Sequence, residues 1–153
     1  MNLKEGDKAP EFSLSDTNGN IINLKDLKGK KIVLYFYPKD DTPGCTIEAC
    51  EIRDNYSNFT ESNIVVFGVS ADNKESHQSF TKKFQLPFPL LSDTNKSMCK
   101  DYDVLYNAVV DEQEVERISR VTFVIDENSV ISKIWNPVDP NGHANQILEF
   151  LNI

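Results

Sequence analysis

Cysteine is scarce in this chain, and positive charge is in deficit. The 153 residues hold three cysteines, Cys45, Cys50 and Cys99. That is too few, and an odd number, for a disulfide framework, so each thiol is either a small core residue or a chemically active one. Histidine is scarcer still, with only His77 and His143. Such a set, with Cys-x4-Cys spacing, is a weak basis for a zinc site. Lys and Arg number 16 against 24 Asp and Glu, a net charge of −8, and they are scattered. A nucleic-acid binder needs a basic face to neutralise phosphates, so no nucleic-acid partner is expected. No apolar run approaches the roughly 18 residues of a membrane span. Met1-Asn2-Leu3-Lys4-Glu5-Gly6 lacks the apolar stretch of a signal peptide. The expectation is a cytoplasmic protein with no membrane contact. No repeat, low-complexity tract or linker interrupts the chain, which reads as one domain over 1–153.

What is present is a succession of short apolar segments with clear punctuation. Phe12–Ser15 and Ile21–Leu24 flank Asp16-Thr17-Asn18-Gly19-Asn20, a β-hairpin with Asn-Gly in its turn. Ile32–Tyr37 is a continuous apolar run, as in a strand covered on both faces, and Pro38 ends it. Thr42-Pro43 then starts a helix, with Thr42 as N-cap and Pro43 at the first helical position. Its buried stripe is Cys45, Ala49, Ile52, Tyr56 and Phe59. Ile64–Val69 is a second buried strand, Asn73–Phe84 a helix burying Phe80 and Phe84, and 95–102 a short helix. Val121–Ile125 and Val130–Trp135 read as antiparallel neighbours, followed by a helix over about 144–151. Strand–helix–strand units require parallel pairs with right-handed crossovers. The result is a thioredoxin-like α/β fold: a central mixed sheet flanked by helices, with an added N-terminal hairpin.

One segment carries chemistry: Pro38-Lys39-Asp40-Asp41-Thr42-Pro43-Gly44-Cys45-Thr46-Ile47-Glu48-Ala49-Cys50. It lies where a buried strand ends and a helix begins, the place where open α/β sheets bind ligands. Cys45 falls in the first helical turn, where unpaired amides and the positive end of the helix dipole favour an anion. A thiol there is expected to have a lowered pKa and to be a thiolate nucleophile.

Pro38-x-x-x-Thr42-x-x-Cys45 resembles the active-site signature of peroxiredoxins, and Thr42-Pro43-Gly44-Cys45-Thr46-x-Glu48-x-Cys50 resembles that of their bacterioferritin-comigratory-protein, or PrxQ, subfamily. The likeness extends from Gly6-Asp7-Lys8-Ala9-Pro10-Glu11-Phe12 through Arg120-Val121-Thr122-Phe123-Val124-Ile125-Asp126 to Trp135 and Gly142-His143-Ala144. It implies that Cys45 is the peroxidatic cysteine, oxidised to a sulfenic acid, and that Cys50 resolves it as an intramolecular disulfide. It implies that Thr42 offers its hydroxyl to the peroxide, that Pro38 shields the pocket, and that Arg120 is the cation beside the thiolate. It further implies hydrogen peroxide and organic hydroperoxides as substrates, thioredoxin or a similar dithiol as reductant, a monomer, and no metal, haem or flavin cofactor.

Several residues have plainer readings. Cys50 and Cys99 can be simple packing residues, with Cys99 alternatively a second resolving thiol. Arg117 lies three residues from Arg120, and strand parity alone does not choose between them; the Arg120-x-Thr122-Phe123 pattern does. Glu48 reads as a solvated carboxylate, and His77 and His143 as structural. A disulfide oxidoreductase on the same fold is the alternative function. It needs Cys-x-x-Cys at the helix start and a proline before the third core strand, where this chain has Ser119-Arg120-Val121.

Overall fold

The computed structural model describes residues 1–153. The chain opens with the small hairpin of β1 (Ser13–Ser15) and β2 (Ile21–Asn23), joined through the Asn18-Gly19 turn, and continues through a 3-10 turn at Leu24–Leu27. Then come β3 (Lys31–Phe36), α1 (Pro43–Asp54), α2 (Tyr56–Glu61), β4 (Ile64–Ser70), α3 (Lys74–Phe84), β5 (Leu90–Ser92), α4 (Ser97–Asp101), β6 (Leu105–Val110), β7 (Gln113–Ile118), β8 (Val121–Ile125), β9 (Ile131–Trp135) and α5 (His143–Leu151).

Five strands form the main sheet in the order β5-β4-β3-β8-β9. β3, β4 and β5 run parallel, and β8 pairs antiparallel with both β3 and β9, so it alone is reversed in the sheet. The mixed thioredoxin-like sheet and the N-terminal hairpin expected from the sequence are both present. β3 is central because its side chains alternate between two apolar layers. Ile32, Leu34 and Phe36 join one core, and Val33, Tyr35 and the adjoining Tyr37 join the other. The crossovers from β3 to β4 and from β4 to β5 advance in one direction, which puts α1 and α3 on one face. α2 and α5 pack on that face too. The chain then returns past β3 to β8, and α4 covers the opposite face with the N-terminal segment.

Three features differ from the sequence reading. The helix drawn over 43–59 is broken at Asn55 (φ −113°, ψ 10°), which separates α1 from α2. β5 adds a short edge strand. β6 and β7 form a separate antiparallel ribbon, exposed along most of its length, that the sequence reading left unassigned. Gly68, in the middle of β4, has a packing cause: a Cβ there would lie 2.7 Å from the Tyr35 hydroxyl, so only glycine lets that ring cross the strand.

Candidate active site

β3 ends at the sheet's carboxyl edge, and the chain turns through Pro38–Thr42 into α1. The turn is tight. Asp41 adopts φ +57°, and the Thr42 hydroxyl donates to the Lys39 carbonyl at 2.8 Å. Thr42 is the N-cap residue by backbone geometry, but its side chain caps no helix amide, contrary to the expectation. The amides of Gly44 and Cys45 therefore meet no protein acceptor, while Thr46 N–H is the first to bond back, to the Thr42 carbonyl. α1 thus starts with two amide donors free, the arrangement that favours an anion at a helix N-terminus.

Cys45 is 1% exposed, at the inner face of the first turn. Arg120 enters from the residue preceding β8. Its Nη1 lies 3.3 Å from Cys45 Sγ and 3.3 Å from Glu48 Oε1, so a single guanidinium nitrogen serves both groups. Gly44 permits this approach: a Cβ on residue 44 would fall 2.9 Å from Arg120 Nη2 and 3.5 Å from Pro140. Burial works against the guanidinium's charge, yet the Cys45 sulfur and Glu48 outweigh it and raise the Arg120 pKa above its ordinary value. Arg117, the other arginine considered, is exposed on the outer ribbon opposite Tyr106.

Glu48 is the residue the sequence reading misplaced. It is buried at 1% exposure rather than solvated. Burial pushes its carboxyl from 4.5 up to about 7, opposed by Arg120 and slightly reinforced by Glu51. Its Oε2 has no hydrogen-bond partner, and neither does the buried Tyr35 hydroxyl. Its place on the site-facing side was readable from its spacing of three from Cys45 and four from Ile52.

The remaining candidates are more dispersed. Pro38 is half-buried at the end of β3, in a recess shared with Val115, Arg117 and Ile118 of the ribbon. Cys50 is half-buried on α1, turned away from the Cys45 stripe, and both thiols are free. Cys99 lies in the other core, across the sheet from Cys45. Burial, then Asp93, push its thiol well above the ordinary range. His143 is fully buried and bonds Thr122 Oγ1 at 2.8 Å and Gln146 Oε1 at 2.9 Å, tying the start of α5 to β8.

Comparison with known proteins agrees with this geometry. The sequence profile of the AhpC/TSA family matches residues 5–134. A Coxiella burnetii protein carrying the peroxiredoxin bcp name is 46% identical over 148 residues, covering 97% of this chain and 98% of its own. Peroxiredoxin Bcp of Bacillus subtilis is 42% identical over 151 residues, covering 99% and 96%. The crystal structure of a cysteine-to-serine variant of Xylella fastidiosa PrxQ superposes with a TM-score of 0.93 at 34% identity, covering 99% of this chain and 97% of that one.

Proposed function

Because the chain belongs to the AhpC/TSA family, and within it to the Bcp/PrxQ peroxiredoxins, we propose that it reduces peroxides through Cys45 and closes a Cys45–Cys50 disulfide. The Cys45 thiolate attacks one oxygen of the O–O bond. Sulfur gains that oxygen as a sulfenic acid, and the other oxygen leaves as alkoxide or hydroxide and takes up a proton. The observation that carries this reading is the 3.3 Å contact between Arg120 Nη1 and Cys45 Sγ at a helix start with free amides. A fixed cation and unpaired donors stabilise both the anionic nucleophile and the oxyanion that departs.

In this reading Thr42 offers its hydroxyl oxygen to the peroxide, which its donation to the Lys39 carbonyl leaves free to accept, and Pro38 borders the entrance. The Cys50 thiolate then attacks the Cys45 sulfenic sulfur, forming the S–S bond and releasing water. A dithiol of the thioredoxin type returns both cysteines to thiols by exchange. Both thiols belong to one helix, so a monomer suffices. The substrates are hydrogen peroxide and organic hydroperoxides.

Mass spectrometry after one equivalent of hydrogen peroxide tests the scheme. The wild-type chain is expected to lose two hydrogens, with Cys45 and Cys50 linked. Cys45→Ser is expected to leave both the mass and the peroxide unchanged, and peroxide consumption by that variant at the wild-type rate would refute the assignment.

A further inference from the structure

The Pro38–Thr42 turn is held from below by a buried polar cluster that the peroxidase chemistry does not use directly. Asp40 is 7% exposed and His77, on α3, is fully buried. Asp40 Oδ1 accepts from the Tyr37 hydroxyl at 2.6 Å. Its Oδ2 takes Ser76 Oγ at 2.8 Å and faces His77 Nδ1 at 2.7 Å. The Asp40 amide donates to Asp72 Oδ2 at 2.8 Å. His77 Nε2 lies 3.0 Å from the Leu91 carbonyl of β5. That carbonyl can only accept, so Nε2 carries a proton. A hydrogen bond also joins Nδ1 to Asp40 Oδ2, so both ring nitrogens are engaged. The cluster has the ligand types of a metal site, Asp40, Asp72 and His77. Each of their facing atoms is already engaged within the protein, which makes it a lock rather than a cation cradle.

The lock acts on a segment that needs holding. Asp41 sits in the left-handed region at φ +57°, a conformation aspartate tolerates better than most residues but one that its neighbours help to hold. Asp41 is also tied to α3, by Lys83 Nζ at 2.8 Å. Thr42 follows directly, and Cys45 lies three residues beyond it. The position of the Thr42 hydroxyl therefore depends on where α3 fixes Asp40.

We propose that His77, acting through Asp40, is a positioning residue for peroxide attack: the Asp40–His77 pair sets the Pro38–Thr42 turn that presents Thr42 beside Cys45. The proposal rests on the peroxidase reading. Without His77, Asp40 keeps a buried carboxylate short of a partner, and the turn shifts to find one. Displacements of about an ångström at a reacting group cost up to about a hundredfold in rate.

Stopped-flow kinetics on the intact chain separates the peroxide-attack step from disulfide closure. His77→Leu is expected to slow attack by at least about tenfold, with His77→Gln, whose amide can still donate to Asp40, in between. Closure, which depends on α1, is expected to stay within about twofold of wild type. Where His77→Leu does not fold, the nearly isosteric Asp40→Asn carries the test, with circular dichroism fixing the folded fraction. Folded variants attacking at the wild-type rate would overturn the proposal. So would attack and closure falling together in step with the folded fraction. A wild-type chain that leaves peroxide intact refutes the peroxidase reading instead.

Discussion

Arg120 brings a thiol and a carboxyl to one nitrogen, and Glu48 bears the consequence at the level of a single residue. In the folded chain its carboxyl holds a proton up to about pH 7, whereas the unfolded chain releases it near 4.5. Between those values the native state binds the extra proton, so Glu48 makes stability fall as pH rises through the window and then level off. The shift corresponds to about 3 kcal/mol. Glu48→Gln is expected to flatten that stretch, read from urea midpoints at pH 4.5, 6 and 7.5; a wild-type slope retained in the variant would remove Glu48 as its source. The motif residues themselves were legible because they are unusual in type and spacing. Glu48 was not, because carboxylates are so seldom fully buried that residue type outweighed its position on the Cys45 face. Gly44 was visible as a glycine, but its cause, the Arg120 guanidinium against its bare Cα, required the fold.

At the scale of the element, the proposed Cys45–Cys50 bond cannot form while α1 stays intact. Five residues along an α-helix give about 7.5 Å of rise and roughly 140° of rotation, placing the Cα atoms some 8–9 Å apart. A disulfide spans at most about 7 Å, with side chains converging. Unwinding from Cys45 to Cys50 removes the carbonyls that most amides of α1 bond to, so the loss runs through Asp54. It also strains two ties near the end of the helix: Glu51 to the Gly142 amide at 3.0 Å, and Arg53 Nη1 to the Phe84 carbonyl at 2.7 Å. The break at Asn55 confines the opening, since α2 is anchored separately by the buried Phe59. Hydrogen exchange is expected to show protection lost over 47–54 in the disulfide form and kept at Phe59. Equal protection of 47–54 in both forms, with the bond confirmed by mass, would contradict this account. The break itself was invisible in the sequence, because Tyr56 and Phe59 continue the apolar stripe of α1 across it. The β6–β7 ribbon was equally hidden. Its two-residue turn, Asp111-Glu112, has φ of +51° and +65° at residues other than the Asn-Gly or Asp-Gly pairs that announce such turns. By contrast, the β1–β2 hairpin has Asn18-Gly19 and was read correctly.

Across the whole molecule, the sheet is a partition between two cores. Cys45 lies in one and Cys99 in the other. Cys99 is fully buried, and the Asp93 carboxylate accepts from its backbone amide at 2.7 Å. A thiol held there, with its pKa raised by burial, is a poor nucleophile. Cys50→Ser is therefore expected to stop at the Cys45 sulfenic acid, trappable by dimedone, and to go on to sulfinic acid with excess peroxide. A Cys45–Cys99 disulfide in that variant, found by non-reducing peptide mapping, would show that the partition is breached. Sequence alone left Cys99 open between core residue and spare resolver, because choosing between them requires knowing on which side of the sheet α4 packs.

The position of β8 bears on how the protein is made. The parallel arm β3-β4-β5 is complete by Ser92, but Arg120 reaches Cys45 across 75 residues of sequence, only once β8 has paired beside β3. During synthesis, the thiol leaves the ribosome long before the arginine that serves it. Pairing between such distant segments is also slow relative to local structure. A nascent chain thus carries Cys45 without its cation, and the site proposed to react with peroxide is assembled only when β8 docks.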